Sequence, residues 1–295
     1  MPSWQEIGRE IQATAGPHDL VRRSYLEKLH RLTKRNVIVY YSGWLQKQAP
    51  GIEVNDDDKN GFMAVIHKLD RDLGLDLVLH TPGGGIAATE SLVEYLRSMF
   101  GSNIRAIVPQ LALSAGTMIA LSCREILLGK HSRLGPIDPQ YGGLPAHGVL
   151  EEFRRAYQEI VNDPEKKSVW QPVIARYNPT FIGECEKAVN WSNKVTKEWL
   201  VSGMFEGDPK ALSKAQRIVE ELGDHALTLS HDRHIAAEKC MDMGLNVLMI
   251  ESDDVLQDLV LSVHHACIHT LTGTDAFKII ENHCGDAYLK VSRRN

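Results

Sequence analysis

Through the first 140 residues, stretches with helical apolar spacing alternate with short β-branched or leucine-rich runs. Between Trp4 and Arg35, Ile7, Ile11, Leu20, Tyr25, Leu29 and Leu32 recur at helical spacing with a break at Gly16-Pro17, which predicts a two-helix N-terminal arm. Val37 to Tyr41 is β-branched and aromatic and predicts a first strand, closed by Ser42-Gly43. Asp56 to Asp58 stand before Phe62, Val65, Ile66 and Leu69, the pattern of a helix with an acidic cap, which leads to a second strand at Leu75 to Leu79. A helix from Ile86 to Met99, a strand from Ile104 to Val108, a helix from Ser114 to Ser122, a short strand from Glu125 to Leu128 and an extended segment from Arg133 to Ile137 continue the alternation.

That order predicts an α/β fold of parallel strands with crossover helices, in which ligands sit at the carboxyl ends of the strands. After Leu144 the pattern changes to long, charged helical segments at Val149 to Val161, Pro179 to Phe205 and Leu212 to Leu222, with no strand among them. Val247 to Ile250 restores strand character, Asp254 to Leu271 is helical, and Ala287 to Val291 is a last strand. The expected organisation is an N-terminal helical arm (1–35), an α/β core (36–144), a helical insertion (145–230) and the C-terminal part of the core (231–295).

Two segments at strand ends carry chemistry. His80 to Gly85 reads H-T-P-G-G-G and offers exposed backbone N–H groups, and Leu111 to Cys123 reads L-A-L-S-A-G-T-M-I-A-L-S-C, with Ser114 at a helix start. Taken singly, the first is a tight connection and the second is close packing. As a pair at adjacent strand ends they supply a hydroxyl nucleophile and donors for a developing oxyanion, the two needs of acyl transfer. The G-x-S-x-G elbow of α/β-hydrolases is absent, because Ala112 and Leu113 precede Ser114.

Bulk properties narrow the class. A net charge of -5, with basic residues clustered only in short pairs such as Arg22-Arg23, argues against a nucleic-acid partner. The first fifteen residues lack a signal-type apolar run, and the longest later run, Ala115 to Leu121, is interrupted by Gly116 and Thr117, so no membrane span is expected. Five widely spaced cysteines without a C-x-x-C point to free thiols and a cytoplasmic location. No G-x-G-x-x-G follows a strand and no lysine motif suggests pyridoxal phosphate, so no cofactor is expected.

The segment from Val37 to Gln140 resembles the Clp-fold serine peptidases, through the strand ending at Gly43, Asp56-Asp57 before a helix, T-P-G-G-G, A-L-S-A-G-T and G-P-I-D-P-Q. Gly135 to Gln140, with S-H-D-R-H-I and M-G-L-N-V between Ser230 and Val247, makes it most similar to the serine dehydrogenase proteinase branch, relatives of signal peptide peptidase A and the NfeD-type proteases. The resemblance implies a Clp/crotonase-like core of repeated β-β-α units and a serine endopeptidase with Ser114 as nucleophile. It also implies an oxyanion hole from the Gly84 and Ala115 N–H groups, peptide or unfolded-protein substrates, and assembly into a homo-oligomer through the helical insertion. Apolar positions such as Phe153, Tyr157, Ile160, Trp191, Trp199 and Leu200 exceed what one helical layer should bury.

The general base departs from the Clp pattern. Ser132 to Gln140 reads S-R-L-G-P-I-D-P-Q without a histidine, His131 comes too early, and Asp138 is a weak base toward a serine hydroxyl. The Ser-Lys dyad of the signal peptide peptidase branch is the better template, because a buried lysine becomes neutral near pH 7 through desolvation. Lys187, in E-C-E-K-A-V-N-W, is the first candidate, followed by Lys194 and Lys130, with His147 as the histidine alternative. A crotonase-like thioester enzyme would need a coenzyme A phosphate site, for which no basic cluster is evident, and a catalytically silent scaffold is the third reading. His264, His265, Cys267 and His269 raise a metal hypothesis with His283 or Cys284 as a third ligand, set against a partly buried helix with polar edges. His231 to His234 reads as a helix cap.

Overall fold

The computed structural model describes residues 4–13, 17–141, 143–223 and 233–292. The N-terminal arm forms α1 (Trp4–Ala13) and α2 (Pro17–Thr33), with Ile7 and Ile11 packed on Val21 and Ala266. The parallel part of the main sheet runs through β1 (Asn36–Ser42), β2 (Leu75–His80), β3 (Ile104–Val108), β5 (Glu125–Leu128) and β9 (Val247–Met249), in that spatial order. Covering helices bury β1 and β2 on both faces, which is why they are near-continuous apolar runs.

Between these strands lie α3 (Asp58–Ile66), α4 (Ile86–Phe100) and α5 (Ala115–Leu121). Then come α6 (Ala146–Asn162), α7 (Lys167–Ile174), α8 (Phe181–Ser202), α9 (Ala211–Gly223) and α10 (Ala237–Asp242) before β9. One face of the sheet packs Ile38, Leu77, Leu79, Val108 and Leu128 against Phe62, Leu92, Met118 and Trp199. The other packs Val39, Val78, Ile107 and Leu127 against α2 and α11 (Asp254–Gly273) through Leu29, Val260 and Val263. The result is a three-layer helix, sheet, helix arrangement. No helix among the described residues is long and apolar enough to cross a membrane.

A second, short layer turns the chain at the carboxyl ends of the strands. There β4 (Leu111–Ala112) pairs in parallel with β6 (Arg133–Leu134), and Thr81 bridges to Ala112. This layer places the glycine turn after β2 beside the start of α5. A further two-stranded piece, β7 (Gln140–Tyr141) with β8 (Leu144–Pro145), precedes α6.

Two expectations are corrected. Ala276–Asn282, which the apolar pattern did not mark, is the fully buried strand β10, antiparallel to both β1 and β11 (Ala287–Val291). Its charged residues hid it: Lys278 pairs with Asp58 on one face and Glu281 with Arg22 and Arg23 on the other. The acidic run before α3 is also not a cap. Asp57 makes no side-chain capping bond, and Asp58, fully buried, holds Lys278 and Lys290. His231 and Asp232, and the end of the expected insertion from 224, lie outside the described residues.

Candidate active site

Ser114 sits between β4 and α5 with φ 50° and ψ -116°, a strained conformation for a residue with a Cβ. Its surroundings over-determine that geometry. Leu113 N–H donates to the Thr81 carbonyl at 3.0 Å, Thr81 N–H to Leu111 at 3.1 Å, and Met118 N–H to the Ser114 carbonyl at 3.0 Å. The Thr117 hydroxyl accepts Gly135 N–H at 2.9 Å and lies 2.9 Å from the Ala112 carbonyl, tying α5 to β4 and to the residue that follows β6. Ser114 is thereby fixed at the N-terminus of α5, where the helix dipole favours negative charge.

The glycine turn packs directly on this elbow. A Cβ on Gly83, whose φ is +100°, would lie 2.8 Å from the Ser114 Cβ and 2.9 Å from the Ala115 nitrogen. A Cβ on Gly84 would lie 2.3 Å from the carbonyl oxygen of Val54 and 2.4 Å from its nitrogen. Val54 braces the turn: its N–H donates to the Gly83 carbonyl at 2.8 Å and its carbonyl accepts Gly85 N–H at 3.0 Å. The N–H groups of Gly84 and Ala115 donate to no backbone or side-chain acceptor among the described residues.

Ser114, Gly84 and Ala115 open onto one cleft of about 670 Å³. Ile86, Met118, Ile137 and Trp191 give it apolar walls, and Glu53, Glu184 and Lys187 supply its charges. Trp191 is held by its indole N–H donating to Glu90 at 2.9 Å. Lys187 is the one lysine or histidine among the described residues lining this cleft. It is not desolvated, contrary to the expectation for a dyad lysine. Its side chain is 75% exposed and paired with Glu184 at 2.8 Å, and that carboxylate pushes the amine above its ordinary value. The buried lysine with a lowered pKa, about 8 through desolvation, is Lys278, which faces Asp58 rather than the cleft.

The other candidate bases lie elsewhere. Lys194 is exposed on α8 and Lys130 is exposed after β5, with its backbone N–H bound to Glu251 at 2.8 Å; neither lines the cleft. His147 lines a separate depression with Asn193 and Gly223. Its backbone N–H donates to Asp138 at 3.3 Å, so Asp138 serves the start of α6. The histidines of α11 have other partners: His269 stacks on Trp4 with ring centroids 3.6 Å apart and His264 contacts the Tyr41 hydroxyl at 3.2 Å, while Cys267 is buried. Among the described residues, no three His, Cys, Asp or Glu side chains converge as a metal site. The brace by Val54 and the pairing by Glu184 escaped sequence reading, since one is a backbone contact and the other an ordinary i, i+3 helix pair.

The family model described as ClpP-like SDH-type serine proteinase matches residues 51–261, more than half of the chain and all of the cleft described above. The chain belongs to the ClpP-like SDH-type serine proteinases. Two uncharacterized proteins of Methanocaldococcus jannaschii are similar to this family member, at 26% and 28% identity, each over 191 residues and 65% of this chain. The matched stretch spans 58% and 59% of those relatives' own lengths. In this SDH-type chain the hairpin of β10 and β11 lies beyond the matched residues.

Proposed function

We propose that the protein is a serine peptidase that hydrolyses peptide bonds through an acyl-enzyme on Ser114, with Lys187 as general base and the N–H groups of Gly84 and Ala115 as the oxyanion hole. The observation that carries this reading is the meeting, in one cleft, of a strained serine at a helix N-terminus, two backbone donors beside it that are unpaired among the described residues, and the amine of Lys187. Neutral Lys187 takes the proton as Oγ attacks the carbonyl carbon, and the two N–H groups stabilise the oxyanion. The lysine then protonates the leaving amine, and water, deprotonated by the same lysine, releases the acyl group. A substrate in the cleft strips water from Lys187 and so lowers the cost of its neutral form, which supplies the desolvation the free state lacks.

The Clp/crotonase type of core is supported by the succession of β3, β4 and α5, in which two strands in different layers precede a helix. Apolar side chains left exposed on α6 and α7, including Tyr157, Val161 and Val169, support self-assembly through this region. The functional test is labelling by a fluorophosphonate with parallel peptide hydrolysis. The reading expects one label per chain and peptide turnover, both lost in Ser114→Ala. Undiminished labelling of that variant overturns it.

A further inference from the structure

One side chain of the C-terminal hairpin reaches the wall of the cleft. Lys278, fully buried on β10, donates through Nζ to both carboxylate oxygens of Asp58 at 2.8 Å and to the backbone carbonyl of Glu53 at 2.8 Å. Asp58 in turn accepts the Asn55 N–H at 3.0 Å and the Tyr40 hydroxyl at 2.7 Å. Val54 is therefore fixed from both neighbours, by Lys278 at Glu53 and by Asp58 at Asn55. Val54 is also the residue that binds the Gly83 carbonyl and the Gly85 N–H, the groups on either side of Gly84. Engaging those two leaves the Gly84 N–H as the free donor of the turn.

We propose that Lys278 is a positioning residue for the oxyanion hole, holding Glu53 to Asn55 against the glycine turn so that the Gly84 N–H is aimed at the developing charge. This rests on the reading of Ser114 and Gly84 given above. A stability role alone does not call for such a pair, because apolar side chains of similar volume often replace a buried ion pair without loss. The same strand carries its own control. Glu281, on the opposite face of β10, forms a second buried pair with Arg22 that touches α2 and no part of the glycine turn.

The test compares two probes of one sequence on the full chain. A peptide aldehyde forms a hemiacetal oxyanion with Ser114, and the corresponding peptide amide binds without one. Lys278→Met should weaken the aldehyde by about 10- to 100-fold, below the loss from deleting an oxyanion donor outright, with the amide changed less than about threefold by the same differential-binding logic. Lys278→Arg should restore part of the difference, and Arg22→Met should leave the aldehyde-to-amide ratio at the parental value. If Lys278→Met does not fold, Asp58→Asn is subjected to the same ratio test. A parental ratio in the folded variant, or an equal change in Arg22→Met, overturns the proposal and leaves the Ser114 reading intact. Failure of the parent protein to form an aldehyde adduct overturns that reading and this proposal together.

Discussion

Substituting alanine at Gly84 tests the site through a single methyl group. The new Cβ would lie 2.3 Å from the Val54 carbonyl oxygen and 2.8 Å from its Cα, distances that Cβ atoms essentially never show. Reaching even 3.0 Å from that oxygen requires a retreat of 0.7 Å, from 2.3 to 3.0. Val54 has little freedom to move, since its own N–H and carbonyl hold Gly83 and Gly85 at 2.8 and 3.0 Å. The turn must therefore shift, and a shift of that size takes a donor out of the 2.7 to 3.1 Å range in which it serves an oxyanion. The expected outcome for Gly84→Ala is a fall of about 100-fold or more in kcat for a peptide substrate, with a matching fall in acylation by fluorophosphonate. Gly85→Ala is the internal standard: its Cβ meets nothing closer than 3.9 Å at φ -67°, so activity should stay within about threefold of the parent. Gly84→Ala retaining parental kcat, or both variants falling alike, refutes the reasoning.

The remaining predictions concern the base and the scaffold. Because a base must be neutral and Glu184 holds Lys187 above its ordinary value, the acylation rate should rise with pH into the alkaline range. Glu184→Gln should move that rising limb to lower pH and Lys187→Met should abolish it; an unmoved limb in Glu184→Gln contradicts the assignment. Burial pushes His80 down to about 3 from 6.5, so below pH 6.5 the unfolded chain binds a proton that the folded chain refuses. Stability therefore falls between pH 6.5 and 3, by about 2 kcal/mol at pH 5 from this group, and burial pushes His264 in the same direction. Urea unfolding of His80→Phe should show a smaller loss between pH 7 and 5 than the parent, and an equal loss refutes this account. Asp76, fully buried, binds Arg35 and Arg105 at 2.7 Å, and Asp76→Ala should cost about 3 kcal/mol by strip-off of their shared partner, measured by urea denaturation. A cost under about 1 kcal/mol would make the pair a solvated contact instead.

The legible parts of the sequence were those where one physical requirement dominates. Strands β1, β2 and β3 lie under helices on both faces, so their residues had to be continuously apolar, and the run could be read directly. The glycine turn and Ser114 were legible because close backbone approach and a helix start each demand small residues at fixed positions. Strand β10 was not legible, because Lys278, Glu281 and Asn282 satisfy their polar groups across 217 residues or more of chain, with partners that no local pattern names. The acidic run at Asp56 to Asp58 was misread for the same reason, since its partners, Lys278 and Lys290, are equally remote. Lys187, named from the family resemblance, lines the same cleft as Ser114, whereas its exposure depends on how α8 lies over the cleft, which apolar spacing does not specify.

The central claim is that Ser114 attacks, Gly84 and Ala115 receive the oxyanion, and Lys187 moves the proton. A crystal structure of the complex with a peptide aldehyde measures all three at once. The account predicts a covalent bond to Ser114 Oγ, the hemiacetal oxygen about 2.7 to 3.1 Å from both the Gly84 and Ala115 nitrogens, and Lys187 Nζ within about 3.2 Å of Oγ. An adduct whose oxygen points away from both nitrogens, or a Lys187 still paired with Glu184 and out of reach of Oγ, contradicts it.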